Sequence, residues 1–244
     1  MAGIADLLVY HPSNQDFNDC PLNFDAITIE DGERPIRYYQ WRNQQASRVL
    51  VYFHGNAGSA CDRLPLASDF ENPGQYNFIF AEYSGYSNDP GPKNTKTFTE
   101  DAIRLYDHLQ DKFDLPIVAM GRSLGTTVAT YLASKRKVEK LVLVSPLTSI
   151  VDVGRRHYPI PKFISKRILR DHSFDATLWA PHVKSPVLCL QGDQDMIVPL
   201  DIAQKQSKNF TTSELTFHIV KGAGHNDIDN FRDYSLKLNS FLNP

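Results

Sequence analysis

Short apolar runs recur along the chain, and polar stretches with helical spacing separate them. The runs at 48–53, 77–83, 116–120, 140–145, 186–191 and 214–220 are dense in Val, Ile, Leu and Phe. Runs that are apolar throughout, rather than alternating, predict strands of a parallel sheet buried on both faces. Between them, Ala102, Leu105, Tyr106 and Leu109 recur at helical spacing and predict a helix over 99–113. Segments 126–133 and 228–242 predict two more helices. Near the start, 26–30 and 35–41 flank Asp31-Gly32, which predicts an antiparallel hairpin at the sheet edge. Residues 1–24, with Pro12, Pro21 and several Asn and Asp, predict no regular element. Repeated strand–helix–strand units imply a single α/β domain over 1–244, with a mostly parallel twisted sheet and helices on both faces.

The rhythm breaks at 147–183, which is longer than a simple crossover. It holds Tyr158-Pro159-Ile160-Pro161 and a basic, amphipathic stretch at 162–169. Insertions of this kind tend to be lids, so the segment is expected to be a small cap over the mouth of a pocket, the alternative being an ordinary helix with a proline-rich lead-in.

The candidate chemistry sits at the ends of the predicted strands. Gly121-Arg122-Ser123-Leu124-Gly125 lies between the strand at 116–120 and the helix that follows. A strand, a sharp turn and a helix are the context in which a G-x-S-x-G serine is held out at the top of a sheet. The pentapeptide alone is a weak signal, because a serine hydroxyl needs a base, and the base needs an orienting carboxylate. Both follow in order. The strand at 186–191 runs into Gly192-Asp193-Gln194-Asp195, and the strand at 214–220 runs into Gly222-Ala223-Gly224-His225. Loops at C-terminal strand ends are where open α/β sheets build their sites. Asp193 and Asp195 both remain candidates for the acid at this stage. The oxyanion of a tetrahedral intermediate needs two donors. The N–H of Leu124 is one, and the loop His54-Gly55-Asn56-Ala57-Gly58 supplies the other, Asn56 first and Ala57 next. His54 is expected to bond that loop in place, and Arg122 to form an ion pair beneath the turn. Tyr83 suits either the pocket border or the core.

Together these blocks resemble the α/β-hydrolase superfamily, and within it the small-cap serine hydrolases of the ABHD and serine-aminopeptidase-like kinds. The resemblance runs from about residue 25 to the C-terminus and implies an α/β-hydrolase fold. Its G-x-x-D-x-x-V-P pattern selects Asp195 over Asp193. It implies Ser123 as nucleophile, His225 as base and Asp195 as acid, cleaving acyl esters or thioesters through an acyl-enzyme. Peptidase-type amide hydrolysis is an alternative, disfavoured because the cap shows no pair of acidic groups to hold an amine. A non-catalytic receptor or scaffold of the same fold is another. One block departs from the pattern. Relatives often carry Asp before the tyrosine, with Gly and Ser after it, where this chain has Glu82-Tyr83-Ser84-Gly85-Tyr86. Membrane-directed relatives carry a hydrophobic N-terminal helix or a cysteine cluster; this chain shows neither, so their depalmitoylating activity is not carried over.

Composition narrows the setting. With 26 Lys and Arg against 28 Asp and Glu, and no basic stripe, nucleic acid is not an expected partner. No apolar run approaches 18 residues, so no membrane span is expected. The first ten residues are too short and too acidic for a signal peptide. Three cysteines cannot close a disulfide framework, which suits a reducing, cytoplasmic setting. No zinc-ligand spacing, phosphate loop or dinucleotide fingerprint occurs, so neither metal nor cofactor is expected. A monomer acting on a small acyl substrate is the default.

Overall fold

Adjacent residues of the central strands point to opposite faces, and both sets are apolar. On the strand Arg48–Phe53, Val49, Val51 and Phe53 enter one core cluster, while Leu50 and Tyr52 enter another. The same split separates Ile79 and Ala81 from Phe78 and Phe80 on Tyr76–Glu82. A strand that is apolar on both sides can only be buried by layers above and below it.

A computed structural model describes residues 9–30, 32–157 and 169–243. Its strands are β1 (His11–Pro12), β2 (Asp25–Ile29), β3 (Ile36–Trp41), β4 (Arg48–Phe53), β5 (Ala57–Gly58), β6 (Tyr76–Glu82), β7 (Ile117–Arg122), β8 (Lys140–Val144), β9 (Val187–Gly192) and β10 (Leu215–Val220). Among the described residues, eight of them form one sheet in the order β10-β9-β8-β7-β4-β6-β3-β2. The pairs from β10 across to β6 are parallel. The hairpin β2–β3 is antiparallel, in the register Ile29 to Ile36, and β3 joins β6 antiparallel. The helices are α1 (Thr95–Phe113), α2 (Leu124–Lys135), α3 (Ile150–His157), α4 (Leu200–Ser207) and α5 (Arg232–Leu242). On one face, α1 sets Phe98, Ala102, Leu105 and Leu109 against the sheet, and α2 sets Leu124, Val128 and Leu132. On the other face lie α5, through Tyr234, Leu238 and Leu242, and the 3-10 segment Cys61–Asp69, through Leu64 and Ala67.

Several expectations need correction. α1 begins one turn before 99, because Asn94 accepts from the Thr97 amide and caps the helix there. The helix expected over 228–242 is broken. Ile228–Asn230 is a 3-10 turn, Phe231 is extended, and α5 starts after it. The N-terminal stretch is not wholly irregular: β1 pairs in parallel with β5. Three cysteines do yield a disulfide. Cys20 and Cys61 are bonded, with Cα atoms 5.9 Å apart, and only Cys189 is free. Of 147–183, the structure describes α3 and three short 3-10 turns, at Arg170–His172, Ala176–Leu178 and Ala180–His182. Tyr158-Pro159-Ile160-Pro161 and most of the basic stretch at 162–169 lie outside the described residues.

Candidate active site

Ser123 sits between the end of β7 and the start of α2, with φ 52° and ψ −120°. This is a strained conformation for a residue with a side chain. The two glycines explain how it is held. A Cβ on Gly121 would strike the carbonyl of Gly125, and one on Gly125 would strike the carbonyl of Phe53. Only glycine at both positions lets strand and helix close to this distance. The Ser123 amide donates to Val144 O at 2.9 Å, which ties the turn to β8.

His225 and Asp195 meet on the loops after β10 and β9. His225 Nδ1 lies 2.8 Å from Asp195 Oδ2. A carboxylate accepts, so Nδ1 donates and Nε2 keeps its lone pair. The Asp195 carboxyl is held from every side. Oδ1 accepts from the amides of Ile197 and Val198, and Oδ2 accepts from Ser145 Oγ and from Gln191 Nε2. Burial pushes its pKa up, but the hydrogen bonds from His225, Val198 and Ser145 outweigh that and hold it below the ordinary value. Asp193, the other acidic candidate, is exposed and accepts from the Gly222 amide, a latch between the two loops.

Arg122 holds the loop that carries His225. Its NH1 donates to Asp229 at 2.9 Å, and its NH2 donates to the backbone oxygen of His225 at 2.7 Å. The expected ion pair beneath the turn is therefore present, and the same guanidinium also grips the loop that carries His225.

The loop after β4 lies against the serine: a Cβ on Gly55 would sit 3.6 Å from the Ser123 Cβ. Leu124 is the first residue of α2, where amides have no acceptor within the helix. The Asn56 side chain is turned away, donating to Val9 O, while the Asn56 carbonyl accepts from the His11 amide and from Tyr86 Oη. Only the backbone N–H of Asn56 is left for an oxyanion. His54 is fully buried, with Nε2 3.0 Å from Glu82 Oε1 and Nδ1 2.7 Å from Gly55 O. Glu82 also accepts from Ser87 Oγ and from the amides of Ala60 and Tyr83. The glutamate that departs from the pattern thus organises this loop. Burial raises its pKa, yet the bonds from His54, Ser87 and Ala60 bring it below the ordinary value. Tyr83 belongs to the core, stacked on Phe98.

Sequence reasoning missed Ser145 and Gln191. Neither belongs to a motif, and only the sheet brings them to Asp195. The Asp229 partner of Arg122 carried no signal either. Among the described residues, no group of His, Cys, Asp and Glu is arranged to hold a metal ion.

Comparisons with known proteins bear on the family and the fold. The family model described as "alpha/beta hydrolase fold" matches residues 48–161. An uncharacterized protein of Mycobacterium tuberculosis is 32% identical over 207 residues, covering 83% of this chain and 72% of its own length. Protein bem46 of Schizosaccharomyces pombe is 28% identical, over 88% of this chain and 74% of its own. The lysophosphatidylserine lipase ABHD12 of Danio rerio is 27% identical over 75% of this chain, which spans only 54% of that lipase. Among solved structures, a Pyrococcus furiosus esterase superposes with TM-score 0.68 at 17% identity, covering 96% of this chain and 95% of its own. Est1E from Butyrivibrio proteoclasticus gives 0.70 at 15% identity, covering 89% and 97%.

Proposed function

This chain belongs to the α/β-hydrolase superfamily, its fold and relatives support hydrolase activity, and on that premise we propose that it is a serine hydrolase of acyl esters or thioesters. The observation that carries this reading is the His225–Asp195 contact at 2.8 Å, set on loops beside a serine held in a strained turn. In the proposed cycle Ser123 Oγ attacks the acyl carbonyl carbon while His225 Nε2 takes its proton. Asp195 fixes the tautomer and stabilises the imidazolium. The N–H groups of Leu124 and Asn56 meet the oxyanion. Collapse of the tetrahedral intermediate breaks the bond to the alcohol or thiol, which leaves with the proton from His225. Water then attacks the acyl-enzyme with His225 as base, releasing the acid and restoring Ser123.

Esters are favoured over amides because an aminopeptidase needs carboxylates to hold the substrate amine, and the sequence of the cap shows no obvious pair of them. The lipase among the relatives supports the same choice. Segment 147–183 is taken as the cap of a single domain, acting as a monomer. The Cys20–Cys61 disulfide supports an oxidising setting over a cytoplasmic one.

Fluorophosphonate labelling with mass mapping of the modified peptide tests the mechanism. One adduct on Ser123 is expected. Ser123→Ala should lose it and should lose on the order of 10⁴-fold or more in ester turnover. No adduct under conditions that label a known serine hydrolase would favour a ligand receptor instead.

A further inference from the structure

The end of the sheet opposite the candidate site opens into another cavity, and one sign of charge dominates its walls. The cavity is about 630 Å³ and lies where β8 and β9 begin, between the last turn of α2 and the segment 182–186. The six residues of β9, about 20 Å of strand, separate it from the loop of Asp195. Ser185 Oγ donates to Val138 O at 2.7 Å and joins the two walls. The charged lining is Lys135, Arg136, Lys137 and Lys184 against Glu139 alone. Arg136 and Glu139 are already answered. Arg136 donates to both oxygens of Asp107, at 2.7 and 2.8 Å, and both oxygens of Glu139 accept from Arg48, at 3.0 and 2.9 Å. Lys135, Lys137 and Lys184 are exposed, and no ion pair among the described residues engages them. Lys135 Nζ lies 5.8 Å over the Tyr131 ring. Glu214, just before β10, is not part of the lining.

The carbonyl end of α2 accounts for Lys135, since cations suit the negative pole of a helix. It does not account for Lys137, two residues past the helix, or for Lys184, which comes from another segment. A chain with 26 basic against 28 acidic residues has no general surplus to place there. A concave wall of one sign focuses its field and draws counter-ions inward. The volume falls in the range of small-molecule sites, roughly 300–1,000 Å³. Ala133, Val138 and Pro186 supply apolar wall. Ammonium groups act as point charges, so they select charge density over shape, and a dianionic phosphate satisfies them better than a carboxylate. A flat bilayer would meet only the rim of such a concavity, and a nucleic acid strand would lie across it.

We propose that this cavity binds a soluble phosphate monoester with a compact apolar body, the phosphate against Lys135, Lys137 and Lys184 and the body against Ala133, Val138 and Pro186. The site is separate from that of Ser123 and does not rest on its chemistry. α2 joins the two, running about 18 Å from the Ser123 turn to the cavity.

Titration of the isotope-labelled full chain with AMP, read by amide NMR shifts, tests it. AMP should give saturable shifts concentrated in 133–139 and 182–186. Inorganic phosphate should bind more weakly at the same amides, and adenosine should give no response. Lys137→Gln with Lys184→Gln should weaken AMP binding about tenfold, about threefold for each exposed charge removed. Lys96→Gln with Lys221→Gln removes as much charge at the other end of the sheet and should leave the affinity unchanged. Spectra matching the parent's away from the altered positions confirm that the variants fold. Ser123→Ala should bind AMP as the parent does, so this site and the hydrolase reading stand or fall separately. Vesicles of phosphatidylcholine with 20% phosphatidic acid carry the same monoester phosphate on a lipid and should not displace AMP. Each of four results would overturn the proposal. They are shifts that fail to saturate or that lie elsewhere, adenosine or inorganic phosphate as effective as AMP, equal affinities for the two double-lysine variants, and displacement of AMP by the vesicles or by single-stranded DNA.

Discussion

Ser145 combines a strained backbone with a useful hydroxyl. Its φ is 54°, it is fully buried, and its Oγ donates to Asp195 Oδ2 at 2.9 Å. Glycine would suit the backbone better, since a left-handed non-glycine residue costs roughly 1–2 kcal/mol. The serine is therefore explained by the bond its hydroxyl gives the Asp195 carboxyl. Ser145→Gly and Ser145→Ala should both lower kcat about tenfold with KM unchanged, the worth of one buried bond to a charged group. The thermal midpoint should fall further for alanine, which keeps the strain. Wild-type kcat in both would remove Ser145 from the machinery. A second residue answers to pH. Burial first, and then the negative Asp229, push the Asp69 carboxyl up to about 6 against the pull of Arg122. The folded chain holds this proton to about pH 6, while the unfolded carboxyl gives it up near 3.8. Folding thus becomes less favourable as pH rises through that interval. Asp69→Asn should stabilise the protein by about 1 kcal/mol at pH 7.5, a value discounted for solvent screening of a half-exposed group, and by nothing at pH 3.5. Urea midpoints at the two pH values decide it; equal gains at both would show that ionisation is not the cause.

At the scale of elements, the N-terminal stretch acts as a strap on the loop proposed to hold the oxyanion. β1 pairs with β5, the His11 amide donates to Asn56 O, the Asn56 side chain donates to Val9 O, and Cys20 is bonded to Cys61 just past the loop. Closing a loop with a sequence separation of 41 removes enough unfolded-state entropy to contribute about 4 kcal/mol. Cys20→Ser with Cys61→Ser should lower the unfolding free energy by that order. Because the strap holds Asn56, kcat should suffer more than KM. A parent protein fully reduced by phosphine, as judged by mass, with an unmoved urea midpoint would contradict this. The strap also shows what the sequence could not display. Apolar runs of five or six residues announce β4 and β9 to within a residue and β7 to within two. A two-residue ladder such as His11–Pro12 has no period to detect. A disulfide is a relation between Cys20 and Cys61 in space, and an odd number of cysteines conceals it. The early start of α1 was legible after all, in the capping sequence Asn94-Thr95-Lys96-Thr97.

The molecule as a whole assembles a site from segments a hundred residues apart. Strand ends and their glycines marked Ser123, Asp195 and His225 in the sequence, because each follows an apolar run and sits in a loop. What joins those loops was not marked, because it depends on β7, β8, β9 and β10 lying side by side in that order. Arg122 is the clearest case. It belongs to β7, yet its guanidinium spans to Asp229 and to the carbonyl of His225, 107 and 103 positions away. The two separated nitrogens of a planar fork reach one acceptor each, whereas the single nitrogen of an ammonium is a point charge without that fixed spread. Arg122→Lys should therefore keep part of the charge interaction and lose the grip on the histidine loop, lowering kcat/KM about tenfold or more and slowing fluorophosphonate labelling in proportion. Asp229→Asn should have a smaller effect, since the bond to His225 O survives. If the fork works as one unit, the double variant will be scarcely worse than Arg122→Lys alone, with a coupling of about 1–3 kcal/mol in the cycle. Strictly additive losses would mean that the two bonds act independently, and that the histidine loop finds its place by packing alone.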